Sequence, residues 1–334
     1  HKFKFYLKLK MIKKILVTGG AGYIGAHVSE LLIKQKKQVF IADDLSTGYK
    51  KLINKKSKFF HCDILNENKI KKIIKENKID SVIHLAAALS VGESQKKPKK
   101  YFRINVKGTQ KLLNAVKGSK IKNFIFSSTC AVYKDGLSRV SETSKLKPTS
   151  IYGKTKLTGE KLIMEFCKKN KINYGILRFF NVAGASSSGK IGQINKGDQL
   201  FKNLSVEVFK KKPKFKIYGS NYKTPDGTCI RDYIHVSDIA EIHSKVLAKI
   251  HKLNKSGIFN CGYSKGKSVK DVINEFKKNI RKKIIIQKLS KRKGDMAMII
   301  ANTQKLKKFI KWRPKFNKLS FIVKSCIKWE KTFH

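Results

Sequence analysis

The segment Thr18-Gly19-Gly20-Ala21-Gly22-Tyr23-Ile24-Gly25 constrains this chain more than any other stretch. Its glycines at 19, 22 and 25 follow the apolar run Ile15-Leu16-Val17 and precede an amphipathic stretch through Ile33. A strand that turns on glycines into a helix lets a pyrophosphate reach backbone N–H groups that side chains would otherwise block. Gly25 permits close helix–strand packing. A glycine-rich turn alone is a weak signal, but here the next apolar run, Val39-Phe40-Ile41-Ala42, ends on Asp43, 24 residues past Gly19. That is near the spacing for an acidic residue that accepts a ribose 2′-hydroxyl. A carboxylate there repels a 2′-phosphate, so the turn predicts NAD rather than NADP. Asp63, after Phe59-Phe60-His61-Cys62, reads equally as an adenine contact or a helix N-cap.

The same rhythm continues through Val82-Ile83-His84-Leu85, Phe124-Ile125-Phe126 and Tyr174-Gly175-Ile176-Leu177. Short apolar runs separated by helical patterns predict a parallel sheet with helices on both faces. After Asn181 the rhythm weakens, and residues 184–200, rich in Gly and Ser, predict a loop. The expected organisation is a dinucleotide-binding domain over 11–181 and a smaller mixed domain over 182–334. Part of 230–250 is expected to pack back on the first. Residues 1–10 are basic and aromatic, precede Met11, and read as an extension outside the fold.

The net charge of +54 asks whether the chain binds nucleic acid. Only seven of its 76 basic residues are Arg, and the lysines are spread over the whole length. Base readout leans on the planar Arg fork, so the charge reads as a solvated lysine surface and no specific nucleic-acid partner is expected. It can still steer anionic substrates. No apolar run approaches the roughly 18 residues that span a bilayer. The six cysteines are scattered, without CxxC or Cys/His zinc spacing. A reduced, cytoplasmic chain without a metal is the expectation.

Tyr152-Gly153-Lys154-Thr155-Lys156 is a YxxxK motif. On a helix its Tyr and Lys project from one face. A free tyrosine, with a pKa of about 10, is a poor base at neutral pH. An ammonium one turn away, together with the cationic nicotinamide ring, is expected to stabilise its phenolate and lower that pKa. Thr129, at the end of Phe126-Ser127-Ser128-Thr129, adds a hydroxyl able to bind a substrate oxygen.

With these residues in view, the chain resembles the extended short-chain dehydrogenases/reductases, and within them the UDP-glucose 4-epimerases, from about Met11 to its end. The glycine turn is joined by HLAAALSVGES (84–94), NVKGT (105–109), FSSTCAVY (126–133), YGKTK (152–156) and RFFNVAGA (178–185). Most diagnostic are IYGSNYKTPDGTCIRDYIHVSDIA (217–240) and KRKGD (291–295). The resemblance implies a Rossmann-type doubly wound sheet with a smaller mixed α/β substrate domain, tightly held NAD, and a homodimer. It implies catalysis by Tyr152, Lys156 and Thr129: a proton leaves the sugar 4′-OH, a hydride passes to the cofactor, and both return on the other face. It implies cofactor contacts at Gly19, Gly22, Tyr23, Ile24, Gly25, Asp43, Asp63, Ile64, Leu85, Ala86, Ala87, Asn105, Ser127 and Phe180. On the substrate side it implies Asn181, Leu200, Tyr218, Arg231, Arg292 and Asp295, with the two arginines on the diphosphate.

Three positions depart from the family pattern. Thr129 replaces a frequent Ser and keeps the hydroxyl. Leu89 stands where many members have Lys. Ile299 stands where some members have a Tyr that closes the sugar pocket against N-acetyl groups. A nucleotide-sugar 4,6-dehydratase is the nearest rival, but it needs an acid and a base, typically an Asp-Glu pair after the strand-end Thr. Here Cys130 and Ala131 follow Thr129. Epimerisation of another UDP sugar stays open, as does a non-catalytic NAD-binding protein, which the intact Thr129, Tyr152 and Lys156 disfavour.

Overall fold

Short aliphatic runs bounded by turn residues become strands where helices cover both of their faces. The structure, a computed structural model, describes residues 12–195, 197, 199–292 and 295–333, so the expected extension at 1–10 lies outside the described residues. The first part runs β1 (Lys14–Thr18), α1 (Tyr23–Lys34), β2 (Gln38–Asp43), β3 (Lys58–His61), α2 (Glu67–Asn77), β4 (Ser81–His84), α3 (Val91–Lys96) and α4 (Pro98–Tyr101). A π-helical turn, Phe102–Lys107, leads into α5 (Gly108–Val116), β5 (Asn123–Thr129), β6 (Arg139–Val140), α6 (Ile151–Lys169) and β7 (Asn173–Phe179). Next come β8 (Asn181–Ala183), α7 (Leu200–Glu207), β9 (Lys214–Tyr218), β10 (Ile230–His235), α8 (Val236–Leu253) and β11 (Gly257–Cys261). The chain closes with β12 (Gly266–Ser268), α9 (Val269–Lys277), β13 (Ile285–Leu289), β14 (Met298–Ala301), α10 (Gln304–Ile310) and α11 (Leu319–Phe333).

Seven strands form one sheet in the order β11-β7-β5-β4-β1-β2-β3, all parallel. Alternation along each strand feeds two cores. Ile15, Val17 and Ile125 cluster with Val28 and Leu32 of α1 and Val246 of α8. Leu16, Phe124 and Phe126 cluster with Ile70 of α2, Leu112 of α5 and Ile163 of α6. This is the doubly wound Rossmann-type sheet expected of the sequence. The chain winds away from β1 in both directions, through β2 on one side and β4 on the other, which opens a ligand crevice at the strands' C-terminal ends.

The chain returns to this sheet late. β11 pairs with β7 from Gly257↔Gly175 to Cys261↔Phe179, and α8 lies against α1. A second sheet has the order β12-β10-β14-β6, with β8 also on β10, while β9 and β13 pair separately. The second sheet therefore draws one strand, β6, from before α6. Among the described residues no helix is long and apolar enough to cross a membrane.

Candidate active site

The glycine turn leaves β1 at Gly19, whose φ of +72° is in the left-handed region. A Cβ on Gly25 would stand 2.2 Å from the Gly19 carbonyl oxygen, so the turn closes only with glycine there. Helix α1 begins at Tyr23 behind the N-cap Gly22, and no side chain caps it. Its start is thus built from backbone N–H groups alone. Asp43 ends β2 and is buried; its carboxylate accepts Ala21 N at 3.0 Å and Leu45 N at 2.9 Å. Burial pushes its pKa up, and those two N–H donors pull it back.

The other expected cofactor residues divide into those at the crevice and those engaged elsewhere. Leu85 N donates to Thr18 O at 3.0 Å, Ala86 abuts Gly19, and Ala87 follows, half-buried. Tyr23 donates its phenol to Gly184 O at 2.5 Å, tying α1 to the 184–200 loop, and Ile24 packs on the core. Asp63 is exposed beyond β3 and accepts Leu65 N at 2.8 Å; the N-cap of α2 is Asn66. Ile64 is buried beside Gly108. Asn105 lies in the π-helical turn, buried. Its amide accepts Ala88 N at 2.8 Å and donates to Ala88 O and Thr155 Oγ1, both at 3.1 Å, joining the post-β4 segment to α6. Ser127 bonds His243 Nε2 of α8 at 3.1 Å, and Phe180 is buried in a cluster with Val132, Tyr133 and Ile299.

Tyr152 opens α6 where three pieces of chain converge. Ser150 caps the helix by accepting Gly153 N at 3.0 Å, and Tyr152 N donates to Ser94 Oγ of α3 at 3.1 Å. A Cβ on Gly153 would stand 2.3 Å from Ala131 O, so the helix start presses on the turn after β5. Thr129, buried at the end of β5, hydrogen-bonds the Tyr152 side chain. Burial pushes the phenol up to about 12, and Thr129 opposes this. Lys156 is buried one turn on, with Nζ 4.6 Å from the centre of the Phe126 ring. Burial pushes it down to about 7, against the carboxylate of Glu160. Two effects oppose each other on the phenol of the cofactor-free chain. Desolvation is larger, and the hydroxyl of Thr129 supplies the counterweight.

Sequence reasoning missed His84. It is buried, with Nδ1 2.7 Å from Thr18 Oγ1 and Nε2 3.1 Å from Thr109 Oγ1. Thr109 donates to Asn105 O at 2.6 Å, so His84 Nε2–H donates to Thr109 and Nδ1 accepts from Thr18. Burial, with the charge of Lys156 adding, pushes His84 down to about 3 and keeps it neutral. A His inside an apolar run was the available signal.

On the substrate side, Arg231 of β10 and Arg292 meet at one carboxylate. Arg292 Nε donates to Asp295 Oδ2 at 2.8 Å, and Arg231 Nη2 lies 3.8 Å from Asp295 Oδ1. Tyr218 of β9 lies under Arg292, with its ring centre 4.9 Å from the guanidinium carbon. Cys130 lies between this group and Thr129, packed in one cluster with Ile299, the strand neighbour of Arg231. Burial pushes its thiol up to about 11, and the Arg231 charge pulls it down. Asn181 is exposed on β8 beside Tyr233, whereas Leu200 starts α7 and packs on the main core. Residues 293 and 294 of the KRKGD motif lie outside the described residues.

The sequence profile of the NAD dependent epimerase/dehydratase family matches residues 15–262. The chain belongs to that family. It is 37% identical over 323 residues to a UDP-glucose 4-epimerase of Lactobacillus helveticus, covering 96% of this chain and 97% of the relative. Its fold superimposes with a TM-score of 0.92 on a UDP-glucose 4-epimerase from Stenotrophomonas maltophila, solved with NAD and formylated UDP-arabinopyranose. The two are 31% identical, with 96% of this chain and 98% of that one covered. The UDP-Glc/GlcNAc 4-epimerase of Campylobacter jejuni is 37% identical with a TM-score of 0.83, covering 96% and 99%. NAD is the cofactor of this family member, and the residues present fit it: an uncapped helix start, a turn with no room for a Cβ at Gly25, and a buried carboxylate closing β2.

Proposed function

We propose that the protein is a UDP-glucose 4-epimerase, interconverting UDP-galactose and UDP-glucose through a transient 4-keto sugar. One observation carries this reading. Arg231 and Arg292 share Asp295, and Ile299, the strand neighbour of Arg231, packs in one cluster with Cys130, which directly follows Thr129. Two guanidinium forks suit a diphosphate. Anchored there, a nucleotide sugar brings its hexose to the hydroxyl–phenol pair.

Tyr152, as the phenolate, takes the proton of the sugar 4′-OH and gives it back when the ketone is reduced, while the Thr129 hydroxyl bonds the same oxygen. Lys156 holds positive charge one turn behind the phenol. When bound, NAD would supply the hydride acceptor and a positive charge that favours the phenolate. Since the diphosphate is held and the sugar is not, the keto sugar can present its other face, and the net change is inversion at C4. No carboxylate follows Thr129 to expel water, which argues against dehydration. Ile299 is buried beside Phe180 and offers no ring to the sugar, which favours a second substrate class, UDP-N-acetyl hexoses, for the same chemistry.

The reading includes a cytoplasmic homodimer. The six cysteines are free thiols, and Leu89, Val91 and Phe102 form exposed apolar surface around α3 and the π-helical turn. Sedimentation of the purified protein checks the dimer. For the reaction, UDP-galactose, UDP-N-acetylgalactosamine and UDP-galacturonate are incubated separately and the products identified. UDP-glucose from the first is the expected result. A 4-keto-6-deoxy product from UDP-galactose or UDP-N-acetylgalactosamine would place the chemistry with the dehydratases.

A further inference from the structure

Glu160 stands one turn beyond Lys156 on α6 and is fully buried. Its Oε1 accepts Ser128 Oγ at 2.5 Å and Arg178 Nε at 3.0 Å, and its Oε2 accepts Arg178 Nη2 at 2.7 Å. Arg178, equally buried on β7, extends Nη1 to the Tyr133 phenol oxygen at 3.1 Å and to the Glu142 carbonyl at 3.3 Å. Tyr133 donates to Asn260 Oδ1 of β11 at 2.6 Å, and Asn260 Nδ2 donates to Val140 O of β6 at 3.0 Å. No side-chain nitrogen or oxygen of Glu160 or Arg178 is without a partner.

Such a pair is a poor device for stability. Desolvating two ions costs several kcal/mol each, and well-packed apolar replacements are often as stable. What this pair joins is more telling. Ser128 immediately precedes Thr129, Lys156 lies one turn before Glu160, and Arg178 lies two and three residues before Phe180 and Asn181. β5, α6 and β7, which carry those groups, are tied at one carboxylate.

We infer that Glu160, clamped by Arg178, is a positioning residue that fixes Thr129 relative to Lys156 and provides the countercharge that keeps Lys156 an ammonium. This rests on the proposed roles of Thr129, Tyr152 and Lys156. Around Lys156 the charged and titratable groups are few. Glu160 and Tyr152 share its helix. Neutral His84 faces it from β4, and β5 offers only the Phe126 ring and the Ser128 hydroxyl. Arg178 faces Glu160 from β7. Cys130 acts on Tyr152 rather than on the lysine, and Tyr101 of α4 feels Tyr152. Glu160, four residues on from Lys156 on the same face of α6 and equally buried, is the charge among the described residues that supports the ammonium against burial.

The test compares parent, Tyr152→Phe, Glu160→Gln, Ser128→Ala and the double variant Glu160→Met/Arg178→Met. Turnover of UDP-galactose is followed against pH, with bound NAD measured in each. Glu160→Gln keeps an oxygen for Ser128 but loses the charge. Its kcat is expected to fall about tenfold, as misplacement of reacting groups does, with KM nearly unchanged. The alkaline limb of kcat is expected to move to lower pH by about one unit, because Lys156 then sheds its proton sooner. Ser128→Ala is expected to lower kcat without moving that limb. If Glu160→Gln does not fold, the double Met variant carries the test and is expected to show the same acidward limb. A folded variant lacking Glu160 with parental kcat and an unmoved limb overturns the inference. Should Tyr152→Phe itself turn over like the parent, the underlying reading fails. If Tyr152→Phe is inactive while the Glu160 variants match the parent, this inference alone falls.

Discussion

The start of α1 and the group around Asp295 are both read as seats for a pair of phosphates, yet they share no type of donor. At α1 the donors are backbone N–H groups, set by a turn that tolerates no Cβ at Gly25 and supported by a buried Asp43. At Asp295 they are two guanidinium groups, that of Arg231 on β10 and that of Arg292 on an exposed segment, the latter over the Tyr218 ring. A backbone cradle has no rotamers to lose and cannot rearrange. A side-chain clamp can open. The difference matches the proposed reaction, in which the dinucleotide stays through many turnovers and the UDP sugar must leave after each one.

Both regions are proposed to serve Tyr152, so breaking that residue has the largest expected effect. Tyr152→Phe should lower kcat by about 10³-fold or more, in the range of positioned acid–base groups. Its NAD content, read by absorbance after denaturation, should equal the parent's. Breaking the cradle comes next. Gly25→Ala forces a Cβ against the Gly19 carbonyl and should cost about 1–3 kcal/mol of stability. It should purify without NAD while calorimetry still detects UDP binding; full NAD occupancy would contradict the account of the turn. Breaking the clamp should do the reverse. Arg292→Ala removes charge-assisted hydrogen bonds worth about 1.5–3 kcal/mol, so KM for UDP-galactose should rise at least tenfold with NAD content unchanged.

The smallest effect concerns pH and stability in the cofactor-free chain. Burial holds folded Lys156 near 7, against 10.5 for an ordinary lysine. Between those values the unfolded chain binds a proton that the folded chain has released. Lys156 therefore contributes stability that grows as pH rises from about 7 toward 10.5. Denaturant unfolding of Lys156→Met across that window should lack this upward slope; an identical slope in parent and variant would refute the assigned burial effect.

The backbone cradle was far more legible in the sequence than the network beneath the catalytic pair. Glycines at 19, 22 and 25 between a strand run and a helix pattern have one local cause, and β1 to β5 and β7 appear as short apolar runs. The two arginines were visible through their motifs. The return of β11 to the first sheet was not, because Gly257–Cys261 is a short run like any other and pairing order is a tertiary fact. Nor was the direction of the β5 hydroxyls used. Period-two alternation sends Ser127 to His243 on the α8 side and Ser128 to Glu160 on the α6 side. That alternation was available in the sequence, but the partners across the sheet were not. Arg178 stood only as the first residue of the RFFNVAGA motif and Glu160 carried no local signal, and only packing brings them together out of water.

The most direct measurement uses UDP-galactose carrying deuterium at C4 of the sugar. If Tyr152 serves an internal oxidation in which the hydride returns to the carbon it left, UDP-glucose will form with the deuterium still at C4. Loss of the label to water, or its appearance at C6, would contradict the account, the latter because dehydration delivers the C4 hydride to C6.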